Sequence, residues 1–120
     1  MTAEIASVDN GTITVRVSAR LTQAELAAVQ KEASQIIERL GRVRILVLAE
    51  HFQGWEKGGQ WNDFSFQEAH DQHIERMAIV GDEQWRDLAL LFASQGLRSF
   101  PIEFFPPQRL AEARAWLREV

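Results

Sequence analysis

Near the middle of the chain, Val43-Arg44-Ile45-Leu46-Val47-Leu48 form an almost unbroken aliphatic run in which Arg44 is the one polar side chain. Successive side chains of a strand point to opposite faces, so a run without a polar face needs apolar cover on both sides. Strands of that kind sit inside mostly parallel sheets whose faces are covered by helices. The run therefore predicts a central strand over Val43–Leu48, with Val47 buried deeply enough that Val47→Asp would unfold the protein.

The segments around it alternate as such a sheet requires. Ile13, Val15 and Val17 are interleaved with Thr14, Arg16 and Ser18, the pattern of a half-buried strand, and a weaker strand runs over Ile5–Val8. Asn10-Gly11 between them is a strong hairpin signal, because both residues tolerate positive φ. Thr22-Gln23-Ala24-Glu25 has the form of a capping box. Leu26, Val29, Ala33, Ile36, Ile37 and Leu40 follow at helical spacing, up to Gly41. A second helix is expected over about 61–72, then a short strand over Met77–Val80. Asp82 is placed to cap a helix carrying Trp85, Leu88, Ala89 and Phe92. Pro101 pushes the last strand, Ile102–Phe105, to the sheet edge. Pro107 suits the first turn of a final helix with Leu110, Ala113, Leu117 and Val120 on one stripe. Strands and helices in this order predict an open α/β fold, mostly parallel, with an antiparallel hairpin at the start.

Bulk properties narrow the function. A length of 120 residues, without repeats or a Pro/Gly/Ser linker, suits one domain over 1–120. Cysteine is absent, which removes disulfides, thiolate chemistry and cysteine zinc sites, and fits a reducing compartment. Met1-Thr2-Ala3-Glu4 lacks the basic and then apolar run of a signal peptide, and no apolar stretch approaches the ~20 residues of a membrane span, so a cytoplasmic location is expected. Peripheral membrane contact and a homodimer stay open. A net charge of −4 with scattered basic residues argues against nucleic acid.

The segment 52–66 is the most unusual. It carries Phe52, Trp55, Trp61, Phe64 and Phe66 around Gly54, Gly58 and Gly59, and begins beyond the carboxyl end of the central strand, where open α/β sheets bind ligands. It reads as an aromatic loop, either a glycine-hinged lid over an apolar pocket or cover for one end of the core. Gly54 and Gly59 have Walker-like spacing, but Gln60-Trp61 stands where Lys-Ser/Thr would be needed. His51, His70 and His73 lack a complete ligand motif, so no metal and no cofactor is expected. His70 reads as a partly buried, hydrogen-bonded residue. Glu50 is a candidate partner for Arg76. With no Cys, no Tyr and no Ser-His pairing motif, an enzyme is not expected.

The stretches Leu46-Val47-Leu48 through Phe52-Gln53-Gly54-Trp55, Ile74-Glu75-Arg76-Met77-Ala78-Ile79-Val80-Gly81-Asp82-Glu83-Gln84-Trp85 and Ala111-Glu112-Ala113-Arg114-Ala115-Trp116-Leu117 resemble the SpoIIAA-like family. That family has the STAS fold, named for sulphate transporters and anti-sigma factor antagonists. The resemblance implies an α/β mixed, mostly parallel sheet of about five strands with four helices. It also implies function by docking a protein partner. Related antagonists switch that docking by phosphorylating a serine after the central strand, in an Asp-x-Ser-Gly context. Glu50-His51-Phe52-Gln53-Gly54-Trp55 holds no hydroxyl, so the switch is not carried over. Two readings remain: a regulatory protein-interaction domain without that switch, or a carrier or sensor of a small apolar, lipid-like ligand under the 52–66 loop. Phe52, Trp55, Trp61, Phe64 and His70 are the candidate ligand- or partner-binding residues.

Overall fold

The structure is a computed structural model that describes residues 2–57 and 65–119. Its strands are β1 (Ala3–Asp9), β2 (Thr12–Leu21), β3 (Val43–Trp55), β4 (Ile74–Val80) and β5 (Ile102–Phe105). Its α-helices are α1 (Gln23–Leu40), α2 (Ser65–His70), α3 (Arg86–Phe92) and α4 (Leu110–Leu117). Strand order follows the sequence, β1-β2-β3-β4-β5, with β1 antiparallel to β2 and the other pairs parallel. The aliphatic run thus lies in the central strand. Each parallel pair is joined by a crossover of one preferred hand, so successive steps in one direction leave the connecting helices on one face.

That layering is visible in the core. Ile13, Ile45, Ile79 and Ile102 of four strands pack with Ala33, Ile36 and Ile37 of α1, Phe66 of α2, and Ala89 and Ala93 at α3. The opposite face is covered by α4, where Ala113 and Leu117 meet Leu46, Ala78 and Val80. Leu46 and Ala78 are 0% exposed, and that is where the two-sided burial of the central strands is complete. Val47, Leu48 and Ala49 are only half-buried, so the burial expected for Val47 is not reached. Leu40, expected on the buried stripe of α1, is exposed in its last turn.

Local signals explain most boundaries. Asn10 (φ 51°) and Gly11 (φ 80°) take the left-handed conformations that a tight hairpin demands. Thr22 caps α1, its Oγ1 accepting from the Glu25 N–H at 3.2 Å, an interaction worth about 1 kcal/mol. The reciprocal half of the box is not made. The Glu25 carboxylate instead accepts from the backbone N–H groups of Thr2 and Ala3, which ties α1 to the start of β1. Asp82 caps as expected, but the element it opens is a 3₁₀ turn, Glu83–Trp85, that leads into α3. Pro107 likewise starts a 3₁₀ turn before α4.

Two expectations are corrected. The segment beginning at Phe52 is not loop from its start, because β3 continues through Trp55, paired to β2. Its polar residues Glu50, His51 and Gln53 are exposed there, since β4 pairs with β3 only as far as Leu48. The helix expected over 61–72 is α2, Ser65–His70, followed by a 3₁₀ turn over Asp71–His73. Its first expected residues, 61–64, lie outside the described residues.

Candidate functional site: an apolar cavity under the helices

The helices do not seal against the middle of the sheet. A cavity of about 240 Å³ opens between them, floored by Val15, Val47 and Ile79 and roofed by Leu26, Ala33 and Phe92. Half-burial of Val15 and Val47, in the two innermost strands on this side, is the imprint of that space.

Strand irregularities shape its end. His51 (φ 52°) in β3 and Ala19 (φ 51°) in β2 both adopt the left-handed conformation, and the β2–β3 register shifts between Ser18 and Arg20. A regular strand would send Ala49 and Phe52 to opposite faces. The bulge changes the phase, and both line the cavity. Phe52 and Trp55 then meet edge-to-face at 5.0 Å, and each meets Trp85, just before α3, at 5.1 and 6.1 Å. Phe92 of α3 completes the group 5.2 Å from Trp55. Gly54 is buried in this corner with φ 104°, and a Cβ there would stand 3.5 Å from the Trp85 ring. Glycine fits because of that backbone conformation.

The expected residues therefore divide. Phe52 and Trp55 lie together on the cavity wall. Trp61 and Phe64 lie outside the described residues. His70 stands apart from the wall, its Nε2 2.8 Å from Ser34 Oγ and its ring 5.0 Å from Phe66, which does line the cavity. The Ser34–His70 pair was invisible in the sequence because its members come from two helices. Ser34 sits inside α1 and His70 ends α2, so the bond links the two helices.

The polar lining is sparse. Gln23, Gln30, Gln67 and Arg98 are its polar side chains among the described residues. Arg98 is committed: Nε donates to Asp71 Oδ2 at 2.9 Å, Nη2 to Oδ1 at 2.5 Å, and Nη1 to the Ala93 carbonyl at 3.3 Å. Its guanidinium also stacks 4.6 Å over the Phe100 ring. The Trp55 Nε1 is buried with no acceptor among the described residues. Glu50 does not meet Arg76. It accepts from Arg16 Nε at 3.1 Å on the exposed face, whereas Arg76 lies 4.8 Å over the Trp116 ring and donates to the Trp116 carbonyl at 2.9 Å. Among the described residues no three His, Asp or Glu side chains gather as a metal set, and no helix is long and apolar enough to cross a membrane.

Comparison with known proteins bears on this geometry. The family model described as SpoIIAA-like matches residues 12–118. An uncharacterized protein from Shewanella loihica with a SpoIIAA-like fold superposes with a TM-score of 0.71 at 16% identity, over 96% of this chain and 91% of that one. The likeness is one of fold. No curated protein matches the sequence.

Proposed function

The chain belongs to the SpoIIAA-like family, and from that premise we propose that it binds a small apolar molecule between α1 and the sheet, as a carrier or sensor without chemistry of its own. The observation behind this reading is the cavity: about 240 Å³, walled mostly by aliphatic and aromatic side chains, beneath the helices of a fold whose central strands would otherwise be closed over. An apolar cavity of about 150 Å³ takes a benzene ring, so this volume suits roughly ten non-hydrogen atoms. Phe52, Trp55, Trp85 and Phe92 form one aromatic end, which supplies large contact area at low entropic cost. Native mass spectrometry of freshly purified protein should show a bound mass that is lost on denaturation. Protein that emerges bare, and whose melting temperature no apolar probe raises, would overturn the reading.

A second reading, docking of a protein partner without a phosphoserine switch, is favoured by a different observation. Leu88, Leu91 and Leu97, on α3 and the turn after it, are 50%, 76% and 88% exposed. Neighbouring exposed leucines are the usual mark of an interaction patch. Leu91→Ser with Leu97→Ser should abolish partner capture while leaving probe uptake intact if docking is the function. Loss of uptake in that variant instead would tie the leucines to ligand entry.

A further inference from the structure

We infer that the cavity takes a ligand with an amide-type head, a group that both donates and accepts hydrogen bonds, and that Gln30 of α1 and Gln67 of α2 are the residues that read it. This rests on the cavity being the ligand site. Both glutamines line the cavity, both are half-buried, and neither amide has a hydrogen-bond partner among the described residues. Neither is among the buried unbonded groups, so water reaches both. The topology brings them together. α1 leads from the end of β2 to the start of β3, and α2 lies on the way from the end of β3 to the start of β4. These three strands are parallel, so the two helices run the same way. They are joined where Ser34 Oγ lies 2.8 Å from His70 Nε2. Gln30 stands one turn before Ser34 and Gln67 one turn before His70, so both lie on the same side of that joint, along the cavity wall.

A glutamine amide carries one carbonyl acceptor and two N–H donors. Two such amides on the wall of an apolar cavity offer a ligand head both kinds of partner and no charge. A head that only accepts, such as a ketone, would leave their carbonyl groups to water, whereas a carboxamide uses both sides. An ionised head has no counter-ion here. Arg98 is the one ionisable residue lining the cavity among the described residues. Asp71 holds it through two hydrogen bonds, and the Ala93 carbonyl takes a third donor. A carboxylate would exchange its water for neutral amides alone, and a charge withdrawn from water without a paired ion is strongly disfavoured. The rest of the ligand faces Val15, Val47, Ile79 and Phe92, which are apolar. An apolar body with a carboxamide head, or with the same pairing of N–H and C=O in a lactam, meets both parts of the wall.

Three bicyclic probes separate these chemistries: naphthalene, 2-naphthamide and 2-naphthoate, titrated calorimetrically into the full chain at neutral pH. The amide and the carboxylate are close in shape and differ in charge. A cavity with no polar reader would rank the probes by the cost of leaving water, with naphthalene first. We expect 2-naphthamide to bind severalfold tighter than naphthalene, and at least tenfold tighter than 2-naphthoate. The double variant Gln30→Leu with Gln67→Leu puts a good helix former at two half-buried positions and removes both amides. In it naphthalene should become the tightest binder of the three. Naphthalene ahead of naphthamide in the wild type, a naphthamide preference that survives the double variant, or naphthoate as the best ligand would each overturn this inference while leaving the cavity reading standing. Should the double variant not fold, Gln30→Ala and Gln67→Ala are measured singly, and each should lower the ratio of naphthamide to naphthalene affinity. A ratio unchanged in both would overturn the inference equally. Failure of all three probes to bind would sink the cavity reading, and this inference with it.

Discussion

Arg98 and Asp71 are joined by two parallel hydrogen bonds, at 2.9 and 2.5 Å, with side chains 6% and 19% exposed. Asp71 belongs to the turn after α2 and Arg98 to the loop after α3, so the pair clamps together two connections on the helical face of the sheet. A guanidinium this withdrawn from water depends on its partner. Asp71→Ala should cost about 3 kcal/mol, because it leaves a buried charge uncompensated. In the double variant Asp71→Leu with Arg98→Met most of that loss should return, since no charge is left buried. Urea midpoints of the wild type and both variants check this. An Asp71→Ala protein as stable as the wild type would show that water reaches Arg98.

Leu46 is the position where the central strand is most completely enclosed, 0% exposed between β2 and β4 beneath α4. Leu46→Asp should prevent folding, because an unpaired buried carboxylate costs several kcal/mol. Circular dichroism of the purified variant is the measurement. A cooperative unfolding transition close to that of the wild type would contradict the packing of α4 on this face.

What the sequence revealed follows the physics of each signal. The core strand was legible because Val43–Leu48 has no polar face, and the hairpin because Asn10-Gly11 has a specific backbone demand. The extension of β3 to Trp55 was not. Beyond Leu48 the strand pairs only with β2, so Glu50, His51 and Gln53 face water and look like loop. The cavity was hidden for a different reason. Val15 and Val47 have the same side chains whether they are packed or face a void, and which of the two occurs depends on how far α1 stands from the sheet. Trp55 could be picked out as unusual, but its companions Trp85 and Phe92, at 6.1 and 5.2 Å, arrive from a segment thirty residues away or more.

The bulge at His51 stores strain that glycine would relieve. A non-glycine residue at φ 52° is disfavoured by about 1–2 kcal/mol, offset in part by the greater unfolded-state freedom that glycine brings. His51→Gly should therefore stabilise the protein by about 0.5–1 kcal/mol, and the β-branched His51→Val should destabilise it by more than that. Chemical denaturation of the pair tests this. If His51→Gly is the less stable protein, the exposed imidazole makes an interaction that outweighs the backbone.

Glu25 links stability to pH. Desolvation pushes its carboxyl up, but the N–H groups of Thr2 and Ala3 outweigh that and hold it below the ordinary glutamate value. A carboxyl lowered by folding contributes stability that is present above its unfolded pKa of about 4.3 and is lost as pH falls through the folded value. Glu25→Gln should therefore melt lower than the wild type at neutral pH, with the gap closing as pH is taken down to about 3. Melting curves across that range measure it. A gap that is constant with pH would mean that the carboxylate charge is not what binds β1 to α1.

Val47 differs from its neighbour Leu46 in facing space instead of α4. A larger apolar side chain there can grow into the void without displacing packed atoms. Val47→Phe should leave stability unchanged or raise it by about 1 kcal/mol, as cavity filling commonly does, whereas the same change in a tight core costs about 1–3 kcal/mol by overpacking. It should also exclude naphthalene-sized probes from the cavity. The two readouts together are diagnostic, because a merely damaged protein would lose stability and binding at once. A variant that melts several degrees lower would show that the helices already close on Val47 in solution. One that is stable and still takes up the probes would place the binding site away from the sheet.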